Sequence, residues 1–208
     1  MEADEQLLQA WAAGRTEAGD ELVRRHFDAV YGFFRSKFTH DVDDLIQRSF
    51  VGALEGAARF RGEAGFRAYL FGVARNILLE HGRELARGRK IDPYASSAAD
   101  LDTGASELVA RFEEQRLLLS ALRAIPLDDQ IALELRYWEQ LTAEEIGAVL
   151  GLSGASTRSR LKRARARLQT KLAELARDRE SLRSTTDDFE RWAHSLRAVV
   201  AADNAASR

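Results

Sequence analysis

The sequence contains no cysteine, only two prolines and a single methionine among 208 residues. Without cysteine there is no disulfide framework, no thiolate metal site and no cysteine nucleophile. The scarcity of proline, together with the lack of sustained apolar–polar alternation, argues against a β-rich chain. No apolar run approaches the length needed to span a bilayer. The first residues, Met1-Glu2-Ala3-Asp4-Glu5, are acidic and unlike a secretory leader, so the cytoplasm is the expected compartment. The four histidines, His26, His40, His81 and His194, are scattered with no i, i+4 pair. No zinc site is expected, and no phosphate-cradling glycine motif or nucleophile elbow points to an enzyme. No cofactor is expected either.

What the chain does contain is Ala, Leu, Arg and Glu in helical periodicity, which predicts an all-α fold. Leu22, Phe27, Val30, Phe34 and Phe38 mark one amphipathic helix. Val42, Leu45, Ile46, Phe50 and Leu54 mark a second, ending near Gly56. A third carries Phe66, Tyr69, Leu70, Val73, Ile77 and Leu78. The pattern stops over residues 89–106, which hold Pro93 and are rich in Ser, Ala, Asp and Gly, as expected of a flexible linker. It resumes at Glu107, with a boundary at Pro126 and a further helix over Ile131–Trp138. The expected organisation is a helical unit over 1–88, a linker over 89–106, a second unit over 107–177 and an extension over 178–208.

A net charge of −2 hides a segregation. Residues 59–90 carry 8 basic side chains against 3 acidic, and residues 152–177 carry 8 against 1. Residues 91–151 carry 12 acidic against 4 basic. Two separated basic blocks are what a polyanion would meet.

The second block sits in a helix-turn-helix pattern. Thr142 and Glu145 form a predicted capping box, Ile146, Val149 and Leu150 an inner face, and Gly151 a tight turn. Ser153 is then placed to cap a helix whose inner face runs through Leu161, Ala164 and Leu168. In such motifs the second helix enters the major groove. Here it carries two cationic stripes, Arg158, Lys162 and Arg165 beside Arg160, Arg163 and Arg167. One stripe is expected to meet DNA and the other to flank it at phosphates. Ser156, Thr157 and Ser159 are short donors near the helix start. A solvated basic helix is the plainer alternative, and the full motif in register weighs against it.

In the first unit, Asp43-Asp44-Leu45-Ile46-Gln47-Arg48-Ser49-Phe50 and the stretch from Arg59 to Asn76 resemble the second region of bacterial sigma factors. The nearest class is the extracytoplasmic-function type, and the helix-turn-helix resembles that class's fourth region. The resemblance covers about residues 4–175. It implies RNA polymerase core enzyme and promoter DNA as partners, with an anti-sigma factor as a further candidate. By resemblance, Asp41, Asp43, Asp44 and Gln47 face the polymerase clamp helices. Read without it, an Asp cluster there complements a helix dipole. Phe60, Arg61, Gly62 and Phe66 would line a loop that holds a flipped base of the −10 element. Arg67, Arg75, Asn76 and Arg83 would follow the strand or duplex. Base–aromatic stacking is worth roughly 1–3 kcal/mol per base. The region-four residues would read the −35 element. A core position is the alternative for Phe66, and for Tyr69 and Phe71 it is the favoured expectation.

The acidic linker (Asp92, Asp100, Asp102, Glu107) would thread toward the RNA exit path. A plain tether would have the same composition. A regulator that binds duplex DNA without polymerase is the competing function.

Two departures stand out. Thr157 replaces a Val usual in the family, so it must turn its hydroxyl to a backbone carbonyl or bury it. Residues 178–208 extend beyond short members, with Phe189, Trp192, Ala193, Leu196, Val199 and Val200 on one stripe. This extension either regulates, by holding the domains compact, or only enlarges the second core.

Overall fold

A computed structural model describes residues 2–38, 40–87 and 113–175. The expected linker over 89–106 and the C-terminal extension over 178–208 therefore lie outside the described residues. The described residues form helices and no strand, in agreement with the all-α expectation.

The N-terminal half comprises α1 (Asp4–Ala12), α2 (Thr16–Arg35), α3 (Val42–Glu55), a 3-10 turn (Ala57–Arg59) and α4 (Gly65–Ala86). The last three helices are the ones the apolar spacing predicts. Helix α1 was not anticipated, because its nine residues hold too few turns to show a clear period. It buries Leu7 and Leu8, and its Trp11 ring lies against Gly19 of α2, where a Cβ would collide with it. Phe34, Phe66, Phe71, Leu22, Leu45 and Leu78 are fully buried at the centre. Each such side chain contributes roughly 1.5–3 kcal/mol of transfer free energy.

The C-terminal half comprises α5 (Glu113–Arg123), α6 (Leu127–Tyr137), α7 (Ala143–Leu150) and α8 (Gly154–Leu175). Pro126 sits at the N-cap of α6, where its missing N–H costs nothing. A core of Leu118, Leu122, Ile125, Leu133, Trp138, Ala164, Leu168 and Leu172 joins α5, α6 and α8.

The two halves are not independent bodies on a string. Leu127, Ile131, Leu135, Leu141, Ile146, Val149 and Leu150 belong to the same buried cluster as the first half's aromatic core. Helix α7 packs on α4, and α6 faces the end of α2. Nothing in the apolar periodicity announced this seam, since a core-facing stripe does not say which core it faces.

Candidate nucleic-acid and polymerase interfaces

The helix-turn-helix is built as its sequence dictates. The Thr142 hydroxyl accepts from the Glu145 N–H at 3.2 Å, and the Glu145 carboxylate accepts from the Thr142 N–H at 2.7 Å. Gly151 closes α7 at φ 70°, the left-handed region that glycine enters without cost. Gly147 lets the chain fold back, for a Cβ there would strike the Leu152 carbonyl oxygen at 2.5 Å. The Ser153 hydroxyl accepts from the Ser156 N–H at 3.2 Å and caps α8, a helix about 33 Å long at 1.5 Å per residue.

The side chains expected to meet DNA then divide. Ser156, Arg158, Ser159, Lys162, Arg163 and Arg165 are exposed on α8. Arg158 pairs with Glu144 at 2.7 Å across the turn, and that hydrogen bond lowers the Glu144 carboxyl below its ordinary range. Thr157 is corrected: it is fully buried, and its hydroxyl donates to the Ser153 carbonyl at 2.9 Å. The departure from Val is thus absorbed by the backbone, and the residue is withdrawn from the DNA set. Two cations of the second stripe are held by an acid of their own half. Arg160 lies 3.1 Å from Asp129, Arg167 binds the same carboxylate, and Asp129 is almost fully buried. Arg163 of that stripe is exposed, and Arg167 is half exposed beside its pair. Asp129 could not be singled out beforehand, because an acid in the first turn of a helix is an ordinary surface choice.

On the first half, residues 60–64 form a loop ahead of α4, exposed at Arg61, Gly62 and Glu63 and shaped by Gly62 (φ 74°) and Gly65 (φ 73°). The start of α4 has no side-chain cap of its own. The Glu5 carboxylate of α1 fills that role, accepting from the Phe66 N–H at 3.1 Å. Phe60 and Tyr69 are half-buried with ring centroids 4.9 Å apart, and the Tyr69 hydroxyl donates to the Ala53 carbonyl at 3.0 Å. Burial raises the Tyr69 phenol above its ordinary value, with Arg59 acting against it. Two expectations change places here. Phe66 is a core residue against His26 (5.2 Å between centroids), so it does not line the loop surface. Tyr69 instead reaches an open groove of about 570 Å³ with Phe60, Arg61, Gly62, Arg75 and Asn76. Phe71 is buried as expected.

Asn76 and Arg83 are exposed, and Arg67 and Arg75 are engaged with the C-terminal half. Arg67 donates to the Glu139 carboxylate at 2.6 Å, and Arg75 to Asp128 at 2.8 Å. Both acceptors come from the C-terminal half. The far wall of the groove is Ala148, Val149, Leu150 and Gly151 of the helix-turn-helix.

Asp41, Asp43, Asp44 and Gln47 are all exposed at the start of α3. Asp43 and Asp44 lie in its first turn, so dipole complementation and partner binding both remain served by the same placement. Val51, one turn beyond Gln47, is exposed on the same helix. Among the described residues no helix is long and apolar enough to cross a membrane, and no acidic or histidine cluster could hold a metal ion.

Residues 22–88 match the family model described as Sigma-70 region 2, and residues 115–168 match that described as Sigma-70, region 4. The ECF RNA polymerase sigma-E factor of Haemophilus influenzae is 28% identical over 183 residues, covering 83% of this chain and 96% of that protein. The RNA polymerase sigma-H factor of Pseudomonas aeruginosa is 28% identical over 192 residues, covering 86% and 98%. The solved structure of CnrH, in complex with the cytosolic domain of CnrY, is 30% identical with a TM-score of 0.61, covering 83% of this chain and 99% of CnrH. Two region matches in chain order, on a helical frame with an outward cationic helix, make the chain an extracytoplasmic-function member of the sigma-70 family, a factor that directs RNA polymerase to promoters.

Proposed function

We propose that the chain reads duplex DNA at the −35 element with the outer face of α8, through Ser156, Arg158, Ser159, Lys162, Arg163 and Arg165. The −10 strand is captured on the first half, where Phe60 and Tyr69 offer stacking faces and Arg61, Gly62, Asn76 and Arg83 line the approach. Arg67 and Arg75 join them once released from their acidic partners. Asp41, Asp43, Asp44 and Gln47 meet basic side chains of the polymerase clamp. Residues 1–88 and 107–177 act as the two gripping units, with the acidic stretch 89–106 as the tether. The factor melts DNA by holding unpaired bases and makes no bond itself, working in the cytoplasm with core enzyme.

The observation that supports this reading is the exposure of Arg158, Lys162, Arg163 and Arg165 on a capped second helix, on which Arg160 and Arg167 are paired with Asp129. That sorting leaves one outward cationic face, and each phosphate it meets steepens the log–log salt dependence by about 0.9. Reconstituted run-off transcription on a genomic library is the test. Start-site selection that requires both this chain and core polymerase is the expected result. Tight duplex binding that owes nothing to core enzyme would favour a conventional helix-turn-helix regulator instead.

A further inference from the structure

Helix α4 cannot cap its own start. Ala64, just ahead of it, has no side-chain acceptor, and no acid lies in its first turn. The backbone there also rules out a local cap. An N-cap side chain reaches the following N–H groups from an extended residue. Ala64 stands instead at φ −110°, ψ 9°, and Gly65 follows at φ 73°. The Gly65 N–H turns back to the Gly62 carbonyl at 3.2 Å, which leaves the Phe66 N–H as the next donor to satisfy. Its acceptor comes from 61 residues away, where Glu5 Oε1 of α1 lies at 3.1 Å.

The neighbouring carboxylate keeps Glu5 in place. Asp4 Oδ1 accepts from Arg25 Nη1 at 2.7 Å, and Asp4 Oδ2 lies 2.7 Å from His26 Nε2, both residues of α2. Two adjacent acids thus tie α1 to two different helices, over the buried Leu7 and Leu8. Phe66 is gripped twice, by Glu5 at its N–H and by His26 against its ring. Three residues on, the Tyr69 hydroxyl is fixed to the Ala53 carbonyl and its ring meets Phe60 at the other end of the loop. Between those ends, among the described residues, a Cβ on Gly62 would meet no atom within 4 Å. We infer that Glu5 is a positioning residue for the −10 strand, a remote cap that holds residues 60–64 in the shape presenting Phe60 and Tyr69 to unpaired bases. A loop that capped its own helix would need an extended, polar residue at 64 and would take another course. The carboxylate also complements the positive end of α4. The consequence for DNA rests on the −10 assignment proposed above, whereas the hold on the loop does not.

The absence of cysteine makes the test direct. In the full chain, Glu63→Cys places a nitroxide label at an exposed position of the loop, and Ala173→Cys places one on α8 as a control. Label mobility and the affinity for a fluorescent mixed-sequence single-stranded DNA 12-mer are read well below the melting temperature of each variant. Glu5→Ala should loosen the label at 63 and leave the one at 173 unchanged. It should also weaken DNA binding roughly fivefold, the factor a lost helix cap is worth when it tips the loop out of its binding shape. Glu5→Gln keeps an acceptor oxygen and should return both readings toward the parent. Ala64→Asp added to Glu5→Ala should restore neither, because the backbone at 64 does not aim a side chain at the Phe66 N–H. If Glu5→Ala does not fold, Glu5→Asp, one methylene short of that N–H, takes its place. A label at 63 as ordered as the parent's in every folded Glu5 variant, or full rescue by Ala64→Asp, overturns the inference. So does a loosened loop with parent-like DNA binding in a chain whose affinity Phe60→Ala lowers. If Phe60→Ala itself leaves DNA binding unchanged, the −10 assignment falls and the hold of Glu5 on the loop stands.

Discussion

Helices α4 and α8 are both long, both rich in arginine, and both expected to lie on DNA, yet the fold uses their charge differently. Arg67 and Arg75 of α4 are drawn into pairs with Glu139 and Asp128 from the other half, and Arg75 is only 12% exposed. On α8 Arg160 and the half-exposed Arg167 pair with Asp129 of their own half, and Lys162, Arg163 and Arg165 are exposed. A basic helix is therefore not one kind of object. Its charge serves a ligand on the face that stays exposed to solvent. The acidic block at 91–151 explains where those acids come from, since Asp128, Asp129, Glu134 and Glu139 all belong to it.

The contrast can be broken most sharply on α8. Lys162→Ala with Arg163→Ala should reduce promoter-dependent transcription by tenfold or more and lower the salt-dependence slope of duplex binding by roughly 1.8. The melting temperature should hold, because both side chains are exposed; an equal loss of stability would show that they support the fold instead. On α4 the opposite operation is informative. Asp128→Asn removes the carboxylate that holds Arg75 and should raise single-stranded DNA affinity several-fold, whereas Glu144→Gln, which removes the exposed partner of Arg158, should change duplex affinity by about twofold or less. Equal responses in a fluorescence titration would erase the distinction between the helices.

A smaller effect is expected at Thr157→Val. The hydroxyl touches only the Ser153 carbonyl, so stability should move by about 1 kcal/mol or less. Promoter preference, read from run-off products, should not change, and an altered −35 motif would return Thr157 to the DNA surface. The smallest effect separates the halves by pH. The described histidines, His26, His40 and His81, all lie in the first half, and burial lowers His26 below its ordinary 6.5, with Asp4 opposing. The unfolded chain therefore binds a proton more readily than the folded one. Stability is fully present above about pH 6.5 and declines as pH falls toward the lowered folded value. Hydrogen exchange should show α2 and α4 losing protection across that window before α8 does, and His26→Gln should flatten the decline.

Much of this architecture was legible locally. The capping box at Thr142, the turn at Gly151, the cap at Ser153 and the buried stripes of α2, α3 and α4 all follow from interactions within a few residues, which periodicity and cap chemistry report directly. Glu134 left a trace as well. It lies on the inner face of α6 among Ile131, Leu135 and Trp138, an acid where the helical period calls for an apolar residue. Its partner Lys37 is 97 residues away, and no local pattern connects the two. The same distance in sequence hid the pairing of Arg67 and Arg75, and hid the exchange of roles between Phe66 and Tyr69.

By itself the sequence determined the helices, their caps, the helix-turn-helix and the two cationic blocks, because each depends on neighbours within a turn or two along the chain. Only the tertiary structure decided which of those cations face solvent, which aromatic ring reaches the groove and that the halves meet over a buried ion pair. Those outcomes depend on which helix packs against which, and burial and Coulomb attraction act through space between groups that are remote along the backbone.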